Sequence, residues 1–120
     1  MIGIGVDIVK IARVERVFEK YGHKFAGKVL STEELEAFTI DARFLAKRFA
    51  AKEAIAKALG SGFRLGVTMP SIQIVKTPLN QPQVVLVGAA RERLASIGGQ
   101  EVLLSISDEV DSVVAFAVVR

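Results

Sequence analysis

Residues 41–60, DARFLAKRFAAKEAIAKALG, decide how the rest of the chain is arranged. Asp41 is an N-cap residue by type, because its short side-chain oxygen can accept from the orphan amides of a first helical turn. Gly60 is a stop, since glycine enters the left-handed conformation without steric cost. Between them lie seven alanines and no glycine or proline, so helix propensity is high. The spacing predicts one long helix.

The charges on that helix are less ordinary. At ~100° per residue, Phe44, Leu45, Phe49, Ile55, Ala56 and Leu59 share one broad apolar arc, and Arg48 and Lys52 fall inside it. A plain amphipathic helix would place aliphatic residues in those slots. Glu53 and Lys57, one turn apart, border the arc with Ala46 and Ala50 beside them. A carboxylate and an amine over a shelf of methyl groups leave room for a ligand. Two plainer readings stand beside this one. Glu53 and Lys57 can be a solvated i,i+4 pair worth ~0.2–0.5 kcal/mol, and Arg48 and Lys52 can lay their stems on the core with their heads in water.

The 120 residues, 51% hydrophobic, suffice for one domain spanning 1–120 with a real core. Cysteine is absent, which excludes disulfides and thiolate chemistry. His23 is the single histidine, so any metal rests on oxygen ligands, favouring magnesium, calcium or manganese over zinc. The first residues, MIGIGVDIV, lack the basic region and long apolar run of a signal peptide. No apolar run approaches the ~18–20 residues of a membrane span. A cytoplasmic protein that does not engage a membrane is expected. The net charge of +3 suggests an acidic partner.

Along the chain, residues 2–6 (IGIGV) read as a short buried strand ending at Asp7, which either caps the next helix or holds a metal. Residues 10–21 read as a helix carrying apolar residues at Ile11, Val14, Val17, Phe18 and Tyr21, ended by Gly22. Its Lys10, Arg13, Arg16 and Lys20 form a basic stripe, either a solvated face or a docking surface for an acidic helix. Residues 23–30 suggest a further turn or two, with His23 on the surface. Ser31 with Glu34 fits a capping box opening a short helix. Residues 61–70 read as a loop whose glycines let backbone amides approach a phosphate, although the P-loop spacing is missing. Strands follow at 71–76 and 83–87, a helix at 88–97, and strands at 101–107 and 112–119, each strand pair hairpin-like. The order βαααββαββ gives an α+β single domain, a largely antiparallel sheet packed against the long central helix.

Three segments taken together carry a resemblance: GIGVDIV at 3–9, RFLAKRFAAKEAIAKALG at 43–60 and LSISDE at 104–109. Over its full length the chain resembles the holo-[acyl carrier protein] synthases, small bacterial 4′-phosphopantetheinyl transferases. The resemblance implies transfer of the 4′-phosphopantetheine arm of coenzyme A to a serine of apo acyl carrier protein in fatty acid biosynthesis, releasing adenosine 3′,5′-bisphosphate. It implies Asp7 and Glu53 as magnesium ligands, and Asp7, Glu53 and Lys57 as the catalytic set. It implies Arg48 as the anchor of the coenzyme A 3′-phosphate across a subunit boundary, with Lys57, Gly60 and Pro82 also beside the nucleotide. Arg13 should meet acidic side chains of the carrier protein, and Lys10, Arg16 and Lys20 extend that surface by the stripe alone. A homotrimer with sites between protomers, the sheet supplying an interface, is implied as well.

The chemistry of these residue types agrees. A serine hydroxyl attacking an anionic diphosphate needs its charge neutralised, and a divalent ion on two carboxylates supplies that. Lys57 reaches the same diphosphate as a point charge. Two departures stand out. Asp108 occupies a position that is histidine in some members, so no phosphate contact is assigned to it. Asn80-Gln81-Pro82 replaces the usual Gly-Lys-Pro, removing one positive charge. The competing reading is a non-enzymatic basic module for nucleic acid. It is weakened by Glu15 and Glu19, which interleave the stripe, so no nucleic-acid partner is expected.

Overall fold

The computed structural model describes residues 2–120. The elements in order are β1 (Gly3–Lys10), α1 (Ile11–Tyr21), α2 (His23–Val29), α3 (Thr32–Ala37), α4 (Ala42–Ala58), β2 (Ile72–Lys76), β3 (Pro82–Leu86), α5 (Gly88–Ser96), β4 (Val102–Asp108) and β5 (Ser112–Val119), with a 3-10 turn at Met69–Ser71. The architecture is α+β, as the sequence suggests, with one helix more than the expected order: residues 23–29 complete a helix of their own.

Local signals act where they are written. The Asp41 side chain accepts the Phe44 N–H at 2.7 Å and starts α4. Ser31 and Glu34 form the reciprocal capping box at 3.1 and 2.9 Å. Gly60, at φ +74°, turns the chain out of α4. The seventeen residues of α4 make a rod about 25 Å long, and ten of them are buried.

The strands form two sheets rather than one. One is antiparallel with order β1-β5-β4; the other is the β2-β3 hairpin. β3 comes close to β4 without joining it, and a cavity of about 420 Å³ between them is lined by Gln83, Val84 and Val102–Leu104.

β1 is not a strand buried on both faces. Gly5 and Val9 face inward, whereas Ile4, Val6 and Ile8 stay 55%, 54% and 71% exposed. The inward glycines are there for contact. A Cβ on Gly5 would lie 2.0 Å from the Ala54 carbonyl oxygen, and one on Gly3 would lie 1.9 Å from that of Ala58. Backbone therefore rests on backbone, and α4 packs on both β1 and β5. This corrects the expectation of a methyl shelf open to a ligand: Ala46 and Ala50 are fully buried. Small residues on both elements serve close packing and bring Asp7 to the flank of α4.

Candidate active site

Helix α4 carries two clusters of charge. Arg48 and Glu53 are five positions apart, about 140° around the axis and about 7.5 Å along it. They therefore look out on different surroundings.

On one side, the alternation of β1 turns Asp7 toward α4, and the Lys57 ammonium donates to Asp7 Oδ1 at 3.1 Å and to the Val6 carbonyl at 3.0 Å. Asp7 is not the cap of α1, since Lys10 holds that position. Nor do Glu53 and Lys57 form the plain i,i+4 pair: among the described residues Glu53 has no cation within 4 Å. Burial pushes the Glu53 carboxyl above its ordinary range, and the charge of Asp7 raises it further, while Lys57 and Arg13 pull it back. The two carboxylates thus feel each other, with one ammonium and one guanidinium nearby.

On the other side, Lys52 does not send its head to water. Its ammonium is fully buried and donates to Glu34 Oε1 and the Val29 carbonyl, both at 2.6 Å. Arg48 is buried too, its Nε 3.9 Å from Glu34 Oε2, and it stacks on Phe44 and Phe38 at 4.7 and 5.2 Å from the ring centroids. Burial holds the Arg48 guanidinium below its ordinary value, with Glu34 opposing that. Arg48 lines a cavity of about 370 Å³ with Lys47, Lys76, Pro82 and Asp108 among the other walls. Lys47 and Lys76 bring positive charge to the turn that reads Asn80-Gln81-Pro82.

The remaining expected residues fall between these regions. Gly60 follows α4, where Arg93, reaching over from α5, donates to the Leu59 carbonyl at 2.9 Å. Lys10, Arg13, Arg16 and Lys20 are all exposed, and the first three line an open cavity of about 620 Å³. Asp108 is engaged: it takes 2.7 Å and 3.5 Å ion pairs from Arg43 and Lys47. Arg43 also donates to the Glu109 and Val110 carbonyls, clamping the β4–β5 turn. Sequence reasoning missed Arg43, Arg93 and the second role of Glu34. Only Glu34 left a signal, and its capping box masked the rest.

A family model for the 4′-phosphopantetheinyl transferase superfamily matches residues 3–117. The chain belongs to that superfamily. A holo-[acyl-carrier-protein] synthase of Halorhodospira halophila is 46% identical over 119 residues, 97% of this chain and 94% of its own. The crystal structure of the holo-[acyl-carrier-protein] synthase of Neisseria meningitidis superposes with a TM-score of 0.92 at 44% identity, covering 100% of this chain and 99% of that one. The Helicobacter pylori synthase, solved in complex with coenzyme A, gives 0.87 at 33% identity over 98% and 99%. Like these relatives, the chain is an enzyme, a phosphopantetheinyl transferase of the holo-[acyl-carrier-protein] synthase kind.

Proposed function

We propose that this transferase moves the 4′-phosphopantetheine arm of coenzyme A onto a serine of apo acyl carrier protein, with magnesium held by Asp7 and Glu53. The observation that carries the reading is geometric: Asp7 accepts the Lys57 ammonium at 3.1 Å, and Glu53 lies one helical turn from Lys57, its carboxyl pushed up by burial first and then by the charge of Asp7. Paired hard oxygen donors that repel each other suit a small divalent cation whose remaining positions go to phosphate and water. Histidine and further carboxylates do not join them, as no group of three such residues occurs among the described residues.

When bound, magnesium would neutralise the diphosphate and the charge growing on the leaving oxygen. The chain's own residues do the rest. Lys57 leans on Asp7 and presents its charge to the same diphosphate. Arg48 takes the 3′-phosphate with donors in a fixed planar fork, and Gly60 and Pro82 border the nucleotide. The serine oxygen bonds to the β-phosphorus while its proton passes to solvent water, the bond from that phosphorus to the bridging oxygen breaks with its electron pair left on that oxygen, and adenosine 3′,5′-bisphosphate departs. Arg13, close enough to Glu53 to influence it, receives acidic side chains of the carrier, and Lys10, Arg16 and Lys20 widen that surface.

The whole chain acts as one transferase domain, in the cytoplasm and in fatty acid synthesis. Among the described residues no helix is long and apolar enough to cross a membrane. The working form is a homotrimer with sites between protomers. Support comes from the apolar outer face of the three-stranded sheet, where Ile4, Val6 and Ile8 lie beside exposed Val114 and Phe116 of β5. It comes also from the divergence of Arg48 and Glu53 around α4.

The test is to mix the enzyme, coenzyme A and apo acyl carrier protein, and weigh the carrier. Its mass should rise by one phosphopantetheine arm with magnesium present and stay unchanged under a chelator. A carrier that gains nothing under either condition would sink the reading.

A further inference from the structure

We propose that Glu34 is a positioning residue for Arg48, setting that guanidinium against the anionic group of the donor. The inference rests on the reading of Arg48 as the 3′-phosphate anchor.

The Glu34 carboxylate is 2% exposed and tied to three separate elements. Its Oε1 accepts the Ser31 N–H at 2.9 Å and the Lys52 ammonium at 2.6 Å. Its Oε2 accepts the Ile74 N–H at 3.1 Å and lies 3.9 Å from Arg48 Nε. A carboxylate fixed by donors ahead of α3, on α4 and on β2 cannot swing, so the charge it presents to Arg48 is fixed as well.

The charge count is telling. One carboxylate faces two cations, so the buried cluster keeps a surplus positive charge. The surplus falls on Arg48, because Lys52 is hydrogen-bonded to Glu34 and Val29, whereas Arg48 Nε and Nη2 are buried without a hydrogen-bond partner. Buried polar groups are nearly always paired, so two unpartnered guanidinium nitrogens at a cavity wall call for an acceptor that the protein does not supply. Excess charge at a cavity wall is what an anion subsite needs before its ligand arrives. The opposite wall is tied to the same carboxylate: Ile74 lies in the β2–β3 hairpin, whose turn brings Asn80, Gln81 and Pro82 to that cavity. One side chain therefore faces the guanidinium with its charge and holds the strand that leads to the facing turn.

Glu34→Gln alone strands two buried cations and can unfold the chain. The double variant Glu34→Gln/Lys52→Met removes the ion pair yet keeps the cluster's net charge, and Glu34→Asp keeps the carboxylate but draws it back from Arg48. Steady-state transfer with apo carrier and magnesium is measured on coenzyme A and on dephospho-coenzyme A, which lacks the 3′-phosphate. The double variant should raise KM for coenzyme A about tenfold, leave kcat nearly unchanged and leave KM for dephospho-coenzyme A as it was. Glu34→Asp should do the same to a smaller degree. A merely structural role would move both donors alike.

Arg48→Gln separates the two ideas. If it erases the preference for coenzyme A while both Glu34 variants retain it, the positioning role is wrong and the anchor stands. If Arg48→Gln leaves the preference intact, the anchor reading fails and the positioning role falls with it.

Discussion

Lys52 and Glu53 are neighbours in the chain and opposites in the structure. Lys52 turns into the protein, where Glu34 and the Val29 carbonyl satisfy its ammonium at 2.6 Å each. Glu53 turns to the flank of β1, half-buried, with a second carboxylate near it and no ion pair among the described residues. Both regions pair a carboxylate from elsewhere with charges on α4: Glu34 with Lys52 and Arg48, Asp7 with Glu53 and Lys57. In the first the protein supplies the principal counter-charge and closes over it. In the second, two like charges are held together and left open. Like charge brought together at a cost, with Lys57 pairing Asp7 and Glu53 left without an ion pair among the described residues, favours an entering cation. Charge that is bonded and closed over, as that of Lys52 is, marks a structural element, whereas the unpartnered nitrogens of Arg48 in the same cluster do not fit that description.

The largest effect belongs to the open region. Asp7→Ala or Glu53→Ala should lower transfer by roughly a thousandfold or more, the several kcal/mol that metal-assisted charge neutralisation is worth. The melting temperature should barely move, because neither side chain anchors the core. Near-normal release of adenosine 3′,5′-bisphosphate by both variants would erase the distinction between the regions. Next comes the closed region. Lys52→Met leaves Glu34 buried with only the more distant Arg48 as counter-charge, and should cost about 3 kcal/mol of stability by denaturant titration. A loss confined to activity would show that Lys52 belongs to the site instead.

Gly5→Ala tests what joins them. A methyl group placed 2.0 Å from the Ala54 oxygen must push β1 off α4, at about 1–3 kcal/mol. Since Asp7 rides on β1 and Glu53 on α4, the proposed metal site should loosen together with the fold. The variant should need more magnesium for half-maximal rate, even at temperatures where it is fully folded. An unchanged magnesium requirement would mean that the glycines only pack.

Much of this was legible in the sequence because it is local. The Asp41 cap, the Ser31–Glu34 capping box and the two hairpins rest on residues within a few positions of one another. The family was also legible, through the segments that carry Asp7 and Glu53 rather than any pattern that periodicity could reveal. What stayed hidden is long-range. Nothing around Lys52 names Glu34 as its partner, eighteen positions away. Glycines at 3 and 5 read as a strand's own composition until the carbonyls of α4 are seen beneath them. Arg43 gives no hint that it will clamp a turn sixty-five positions on. The division into two sheets likewise depends on how β3 and β4 meet, which no single strand encodes.

The smallest effect is the sharpest probe of the contrast, because its sign is opposite to the usual cost of losing a charge. Burial and Asp7 both raise the folded-state pKa of Glu53 above its ordinary value. Between the unfolded and folded values the native state therefore binds the extra proton, so stability must fall as pH rises through that window. Below the ordinary carboxylate value, about 4.3, the group is protonated in both states and contributes nothing. Glu53→Gln removes a charge the fold disfavours. Under a chelator its melting temperature should exceed that of the native enzyme at pH 7, and the gap should close as pH falls toward 4. Adding magnesium should reverse the order, because the native enzyme alone regains stability from a cation that binds its folded state. A Gln variant that is less stable than the native enzyme at pH 7 in chelator would mean that Glu53 is satisfied after all, like Glu34, and that the flank of β1 is not held open for an ion.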